Sequence, residues 1–269
     1  MIFSCDGVVP RVCRHRWLFL NFFQREVKNR YAGSITGIFW ALIQPVALLA
    51  VYAMVFSTIF QVKFPELEGH GFIVFVAVGL WPWMAFQEGI QRGMTAIQSN
   101  AGLVKKVAFP HEMLVHGAVA ATFAIHLAGM ILVLLILALS GLLKLNAAGL
   151  PLALVILLTL YLVASGMALV LAAIQTLIKD TEHFVIPLFM ILFYVTPILY
   201  PASLVPKEIR SLITLNPLSF LIERMRDLFL FEHFLPVWGD AVALALGSMV
   251  FIAGRWFFNR LSPHFEDFL

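Results

Sequence analysis

The sequence predicts an all-α membrane protein with six transmembrane helices, an N-terminal amphipathic helix at the membrane surface, and two short re-entrant helices on the outer side between spans five and six. Three observations predict it. Of its 269 residues, 61% are hydrophobic and 12% charged, where a soluble domain is nearer a quarter charged. Mean hydropathy is +0.94. The apolar residues fall in runs of roughly 20, the length that crosses a bilayer as a helix. Such a chain cannot cover its apolar surface in a core of its own, so lipid is its solvent.

Residues 1–33 are the surface helix. Cys13, Trp17, Leu20, Phe23, Val27 and Tyr31 recur on one helical face, and Arg14, Asn21, Arg25 and Lys28 on another. A helix of this kind lies in the headgroup plane with its bases toward phosphate or a cytoplasmic partner. Gly33 and Gly37 then serve either a sharp turn into the membrane or a close helix contact. Residues 34–269 read as one membrane domain, with spans expected at 34–60, 71–97, 113–142, 150–178, 184–200 and 237–258. The stretch 201–236 is too polar to span. Pro206 opens a short helix there. Asn216 can cap a second helix, and Pro217 suits its first position. Leu218, Leu221, Ile222, Met225, Leu228 and Phe229 form an apolar stripe, with Glu223, Arg226 and Asp227 off it. Pro206, Asn216, Pro217, Glu223 and Arg226 are the expected outer-gate residues; an ordinary structured loop is the alternative.

Lysine and arginine in short loops set orientation. With the N-terminus inside, the cytoplasmic side holds Arg11, Arg14, Arg16, Arg25, Lys28 and Arg30 in the tail. It adds Lys105, Lys106 and Lys179 in loops, and Arg255 and Arg260 at the end. The two short outer loops hold Lys63 and Lys144. Both termini are therefore expected in the cytoplasm. The net charge of +3 reflects this asymmetry, and no basic patch lies in a soluble domain, which argues against nucleic acid. Cys5 and Cys13 make no disulfide or metal pattern.

Enzyme signals are weak. In "HEMLVH", His111 and His116 are five apart, about 140° around a helix, where a zinc helix needs four. A helix start with Pro110 in its first turn and Glu112 near its positive end explains the stretch better. "KDTEHF", residues 179–184, reads as a cytoplasmic turn with Glu182 near the start of the fifth helix. Neither G-x-S-x-G nor a phosphate loop is present, and no metal site is expected. Charges within spans are few: Glu88 and Arg92, spaced to pair, and His126. An ion-driven transporter needs more of them, so a pump built on this chain draws energy from another.

The stretches "RYAGSITGIFWALIQPVALLAVYAMVF", "LVKKVAFPHEML", "DTEHFVIPLFMILFYVTPILYPASLVP" and "LNPLSFLIERMRDLF" resemble, in order, the first span, the loop between spans two and three, the fifth span and the following helices of ABC-2 type exporter permeases. The branch resembled exports polysaccharides: O-antigen, capsule and teichoic acid. Thr36-Gly37 stands where a Leu-Gly pair is common. The resemblance implies a homodimer in the bacterial inner membrane, each subunit binding one separate ABC ATPase, with the channel at the dimer interface. It implies no cofactor on this chain; ATP and Mg²⁺ belong to the partner. Asn100 to Phe109 would be the ATPase-coupling segment, with Leu103, Val104 and Val107 in a groove of the ATPase, flanked by Lys105 and Lys106. Arg25, Glu26, Lys28 and Arg30, with Gly33 and Gly37, would flank the cytoplasmic entrance.

Aromatic rings stack on the C–H faces of sugars without strict sequence demand. Channel candidates are Trp40, Tyr52, Phe56 and Phe60 in the first span, Trp81, Trp83 and Phe86 in the second, and Phe189, Phe193 and Tyr194 in the fifth. Tyr52, Phe56 and Phe60 share a face at i, i+4 and i+8. Interfacial anchoring and core packing are the competing roles for such residues. The substrate implied is a polysaccharide, lipid-linked. A permease for a small lipid or drug, and an intramembrane enzyme acting on lipid-linked sugars through Glu88, Glu112 or Glu182, are the alternatives.

Overall fold

The computed structural model describes residues 16–30, 39–61 and 71–269. Its helices are α1 (Arg16–Asn29), α2 (Trp40–Ala53), α3 (Phe72–Thr95), α4 (Ala101–Val104), α5 (Glu112–Leu139), α6 (Leu150–Leu177), α7 (Thr181–Val195), α8 (Lys207–Leu215), α9 (Pro217–Phe229), α10 (Trp238–Leu261) and α11 (Phe265–Phe268); no strand occurs among the described residues. Four stretches, Phe72–Thr95, Glu112–Leu139, Ala147–Leu177 and Trp238–Phe268, are long and apolar enough to cross a membrane; Ile43–Phe56 and Thr181–Val195 are apolar but shorter. The fifth expected span is cut short because Pro197 disfavours helical backbone at the residue before it. Thr196 is accordingly extended, with φ −86° and ψ 129°.

Helix α3 is the centre, packed against α5 and α6, with α10 laid along α6. Small residues allow these close approaches, as expected where apolar surroundings give helices little reason to associate except packing. Gly93 of α3 faces Ala168 and Val119, and a Cβ there would meet Ala168 Cβ at 2.7 Å. At the α6–α10 crossing the backbones touch: a Cβ on Gly254 would overlap the Gly166 carbonyl oxygen, and one on Gly166 would stand 2.5 Å from the Val250 carbonyl oxygen. Overpacking of this kind costs about 1–3 kcal/mol. Gly254→Ala is expected to lower the thermal midpoint of the detergent-solubilised protein clearly, while Ser248→Ala, at a side chain bonded only to its own helix at Leu244, leaves it nearly unchanged. Helix α5 ends through Gly141 at φ +74°, whose N–H bonds the Ala138 carbonyl while Leu142 N–H returns to Leu137, a left-handed glycine cap.

Three helices carry an interior proline: Pro45 in α2, Pro82 in α3 and Pro187 in α7. In α5 and α10 there is none, and α6 has Pro151 only in its first turn. Beyond Ala53, α2 passes into a π-helical stretch, Met54–Ile59.

Helix α1 docks on the bundle through a side that the sequence reading did not name. Phe22 is its buried residue, set against Gly117 and tilted against the Phe109 ring at 5.6 Å, with Leu18 and Phe19 beside it. Trp17 and Leu20, on the apolar face that the sequence assigns to a membrane-surface helix, are exposed. Chain-to-chain packing selected the Phe22 side because glycine at 117 lets α1 approach α5 closely.

Candidate functional site

A groove of about 710 Å³ runs between α2, α3 and α7. The stripe of α3 along it, at successive turns, is Leu80, Trp83, Gln87, Gln91 and Thr95. Helix α7, antiparallel to α3, contributes Glu182, Ile186, Phe189 and Phe193; α2 contributes Gln44, Leu48 and Tyr52. The groove is thus polar at the end formed by the C-terminus of α3 and the N-terminus of α7, and aromatic toward the other. The aromatic end is continuous. Tyr52 stacks on Phe193 at 6.2 Å, Trp83 lies 5.7 Å from Phe193 and 6.4 Å from Phe189, and Phe193 meets Tyr194 edge-on at 5.4 Å. Trp83 Nε1 donates to Gln87 Oε1 at 2.9 Å, so this ring is fixed where the aromatic and amide zones meet.

Of the ten aromatic candidates, the structure brings Tyr52, Trp83, Phe189, Phe193 and Tyr194 into this groove. Phe86 supports it from behind, 6.2 Å from Phe189. Trp81, 1% exposed, turns to the opposite side of α3 and packs over Gly129 of α5. Trp40 is exposed and is not among the residues lining the groove. Tyr52 lines the groove, while Phe56, in the π-helical stretch after Ala53, packs on Phe72 (5.3 Å) and Phe60 (5.9 Å).

At the polar end, where Glu88 and Arg92 also line the groove, Glu88 gathers three side chains. Arg30 from α1 pairs with its Oε2; His126 Nε2 of α5 lies 2.8 Å from the same oxygen; Arg92 Nε stands 3.5 Å from Oε1. Arg92 also reaches Glu26, at 3.9 Å. Arg25 donates to the side-chain oxygen of Asn100, and Lys28 points to solvent. The basic tail is therefore bonded to α3 and to the start of the 100–109 segment. Gly33 and Gly37 lie outside the described residues.

In that segment Lys105, Lys106 and Val107 are exposed, Leu103 is half-buried, and Phe109 packs on Phe22 and His111. Val104 departs from expectation: at 0% exposure it is covered by its own chain and cannot enter a groove of another subunit. Glu112 is buried and held by Arg255 Nε at 2.8 Å, with Asn259 at 3.3 Å, so it braces α5 against α10.

The outer-gate candidates lie on α8, α9 and the turn joining them. Pro206 precedes α8, Pro217 opens α9, and Asn216 caps α9 by accepting from Leu218 N–H at 3.0 Å while donating to Thr196 Oγ1 at 2.9 Å. Glu223 is half-buried. Arg226 corrects the sequence reading: rather than lying on a polar face, it is 3% exposed. Its guanidinium donates to the backbone carbonyls of Pro197 and Ile198 at 2.6 Å each and of Phe75 at 3.3 Å, and sits 3.5 Å over the Phe75 ring. Gly79 makes room for it. Helix α9 is wedged between neighbours, so Arg224 and Arg226 are buried while Glu223 and Asp227 remain partly exposed.

A family model described as ABC-2 type transporter matches residues 18–230, most of the chain and all of the groove-forming helices. The chain belongs to the ABC-2 type transporter family. Its relatives include an O-antigen export system permease protein RfbA of Myxococcus xanthus, 31% identical over 91% of this chain and 92% of that one. One of the same name from Klebsiella pneumoniae is 25% identical over the same shares of the two chains. A polysialic acid transport protein KpsM of Escherichia coli is 27% identical over 76% of this chain and 78% of its own. This ABC-2 family member is a multi-pass membrane protein.

Two groups in this ABC-2 protein escaped the sequence reading. Arg224 is buried between Asp240, at 3.0 and 3.1 Å, and the Leu235 carbonyl at 2.7 Å, tying α9 to the start of α10. Gln175, at the end of α6, bonds Gln98 and the N-terminus of α7. Arg224 had a visible signal, a second arginine two residues from Arg226 within an apolar stripe. A lone glutamine gave none.

Proposed function

We propose that this chain is the transmembrane subunit of an ATP-driven exporter, moving a lipid-linked polysaccharide such as O-antigen from the cytoplasm across the bacterial inner membrane. It works as a homodimer with two copies of a separate ABC ATPase, whose ATP and Mg²⁺ supply the energy. In this reading α2, α3, α5, α6, α7 and α10 are six spans of one domain, both termini are cytoplasmic, and α8 and α9 re-enter the outer leaflet as a gate. The ATPase docks on Leu103, Lys105, Lys106 and Val107. The α1 bases Arg25, Lys28 and Arg30, with Glu26, stand at the cytoplasmic entrance.

The observation that carries the reading is the groove itself: five rings in sequence, leading to a stripe of glutamines, in a chain whose relatives bear the names of polysaccharide exporters. Rings stack on sugar C–H faces, amides bond hydroxyls, and neither demands one sugar sequence. A sliding polymer is held and released by such contacts more readily than by fixed charges. Each stacked ring is worth about 0.5–1.5 kcal/mol. Phe193→Ala is therefore expected to slow export by roughly 2- to 12-fold with the ATPase still bound, whereas Trp40→Ala changes it little. The test is nucleotide-dependent uptake of lipid-linked glycan into inverted vesicles, with and without the ATPase. Uptake by this chain alone, or no uptake with both subunits and ATP, refutes the proposal.

A further inference from the structure

The 98–100 turn opens the segment on which, in the reading above, the ATPase docks. Gln98 Nε2 donates to the backbone carbonyl of Gln175 at 2.8 Å, and Gln175 Nε2 returns a bond to Gln98 Oε1 at 3.1 Å. The same amide donates to the Lys179 carbonyl at 3.0 Å and accepts from the Glu182 N–H at 2.9 Å. Gln175 is 2% exposed. One buried side chain thus spends both donors and its acceptor on three elements: the 98–100 turn, the α6–α7 connection and the first turn of α7.

Local capping accounts for part of this, since the last carbonyls of α6 and the first N–H groups of α7 need partners. It does not account for the reciprocal pair with Gln98, 77 residues away. Parting any of these bonds strands a buried polar group without a partner, so the three elements are cheaper to move together than apart. Helix α7 is loosely held elsewhere: Val185 and Phe189 are its buried residues. Pro187 interrupts its hydrogen bonding between this junction and the rings of Phe189 and Phe193, a place where the helix bends readily.

We propose that Gln175 is a positioning residue that carries movement of the 98–109 segment into α7, and so sets the groove wall bearing Phe189 and Phe193. This rests on the reading that an ATPase docks on that segment. Displacement there pulls Glu182 N–H through Gln98 and Gln175, so the last turn of α6 and the first turn of α7 move with it, and α7 tilts at Pro187.

The test uses the full chain with its co-purified ATPase subunit in lipid nanodiscs. Cys5 and Cys13 are replaced by serine, and Met190→Cys carries an environment-sensitive dye. ATP with vanadate is the probe, and dye emission and ATP hydrolysis are both read. The wild-type junction is expected to give an emission change. Gln175→Ala and Gln98→Ala are each expected to reduce it at least about fivefold, the low end of coupling between sites, with ATP hydrolysis retained. The double variant is expected to add little, because one interaction has been removed twice. A merely structural role lowers assembly and hydrolysis together without separating them from the dye signal. Should Gln175→Ala not assemble, Gln98→Ala at the half-exposed end decides. A full dye response in the variants overturns this inference alone; a wild-type complex whose dye ignores ATP overturns it together with the proposed function.

Discussion

Arg226→Ala is expected to release the α8–α9 hairpin from the rest of the molecule. The substitution strands three buried carbonyls, of Phe75, Pro197 and Ile198, and empties the space over Gly79 and the Phe75 ring. Each unsatisfied buried group costs about 1–3 kcal/mol. With partial rescue by entering water, the net loss should be about 3–5 kcal/mol, at the extreme of single substitutions. Arg226→Lys keeps a charge but not the planar fork that reaches three acceptors at once, so it should recover little. The readouts are the thermal midpoint in detergent and protease cleavage within 201–236. An alanine variant with the wild-type midpoint and cleavage pattern sinks the account. Glu223→Gln is the control on the same helix; its smaller effect separates loss of the guanidinium from general disturbance of α9.

The second large effect is expected at Glu88. The side chains of Arg30, Arg92 and His126 converge on one carboxylate. The Arg30 side chain is buried, so removing the carboxylate leaves its guanidinium without that anion and largely out of water. Breaking a buried pair from one side typically costs about 3–5 kcal/mol. Glu88→Ala should therefore detach the C-terminal end of α1, seen as faster amide exchange over 25–30 with the α6–α10 pair unaffected. Glu88→Gln keeps the shape and one acceptor but not the charge and should fall between. If exchange over 25–30 is unchanged in the alanine variant, α1 is held by Phe22 in Gly117's notch and the ion cluster is incidental.

The helices were legible because apolar runs of spanning length survive any tertiary context. So was the capped start at Asn216-Pro217, a signal confined to adjacent residues. Half of the aromatic candidates met in one groove; the failures have local causes. Trp81 and Trp83 are two apart, on opposing sides of a helix, and only one can face a given cavity. The Tyr52, Phe56, Phe60 alignment assumed an α-helical period through a stretch that is π-helical. Arg226 and Val104 were misjudged for a common reason: amphipathic patterns state which residues prefer burial, not how many sides of a helix neighbours will cover. The Gln98–Gln175 and Arg224–Asp240 links were unreadable because nothing in one sequence marks which distant polar groups will meet.

The distribution of prolines has a mechanical consequence. A helix lacking one backbone bond bends under less force than an unbroken one. The three walls of the groove, α2, α3 and α7, each have such a soft point, while α5, α6 and α10, two of them in backbone contact at Gly166 and Gly254, are uninterrupted. Strain applied at the 98–109 end is thus absorbed in the groove walls, and the continuous trio acts as the stiff chassis against which the groove changes its bore.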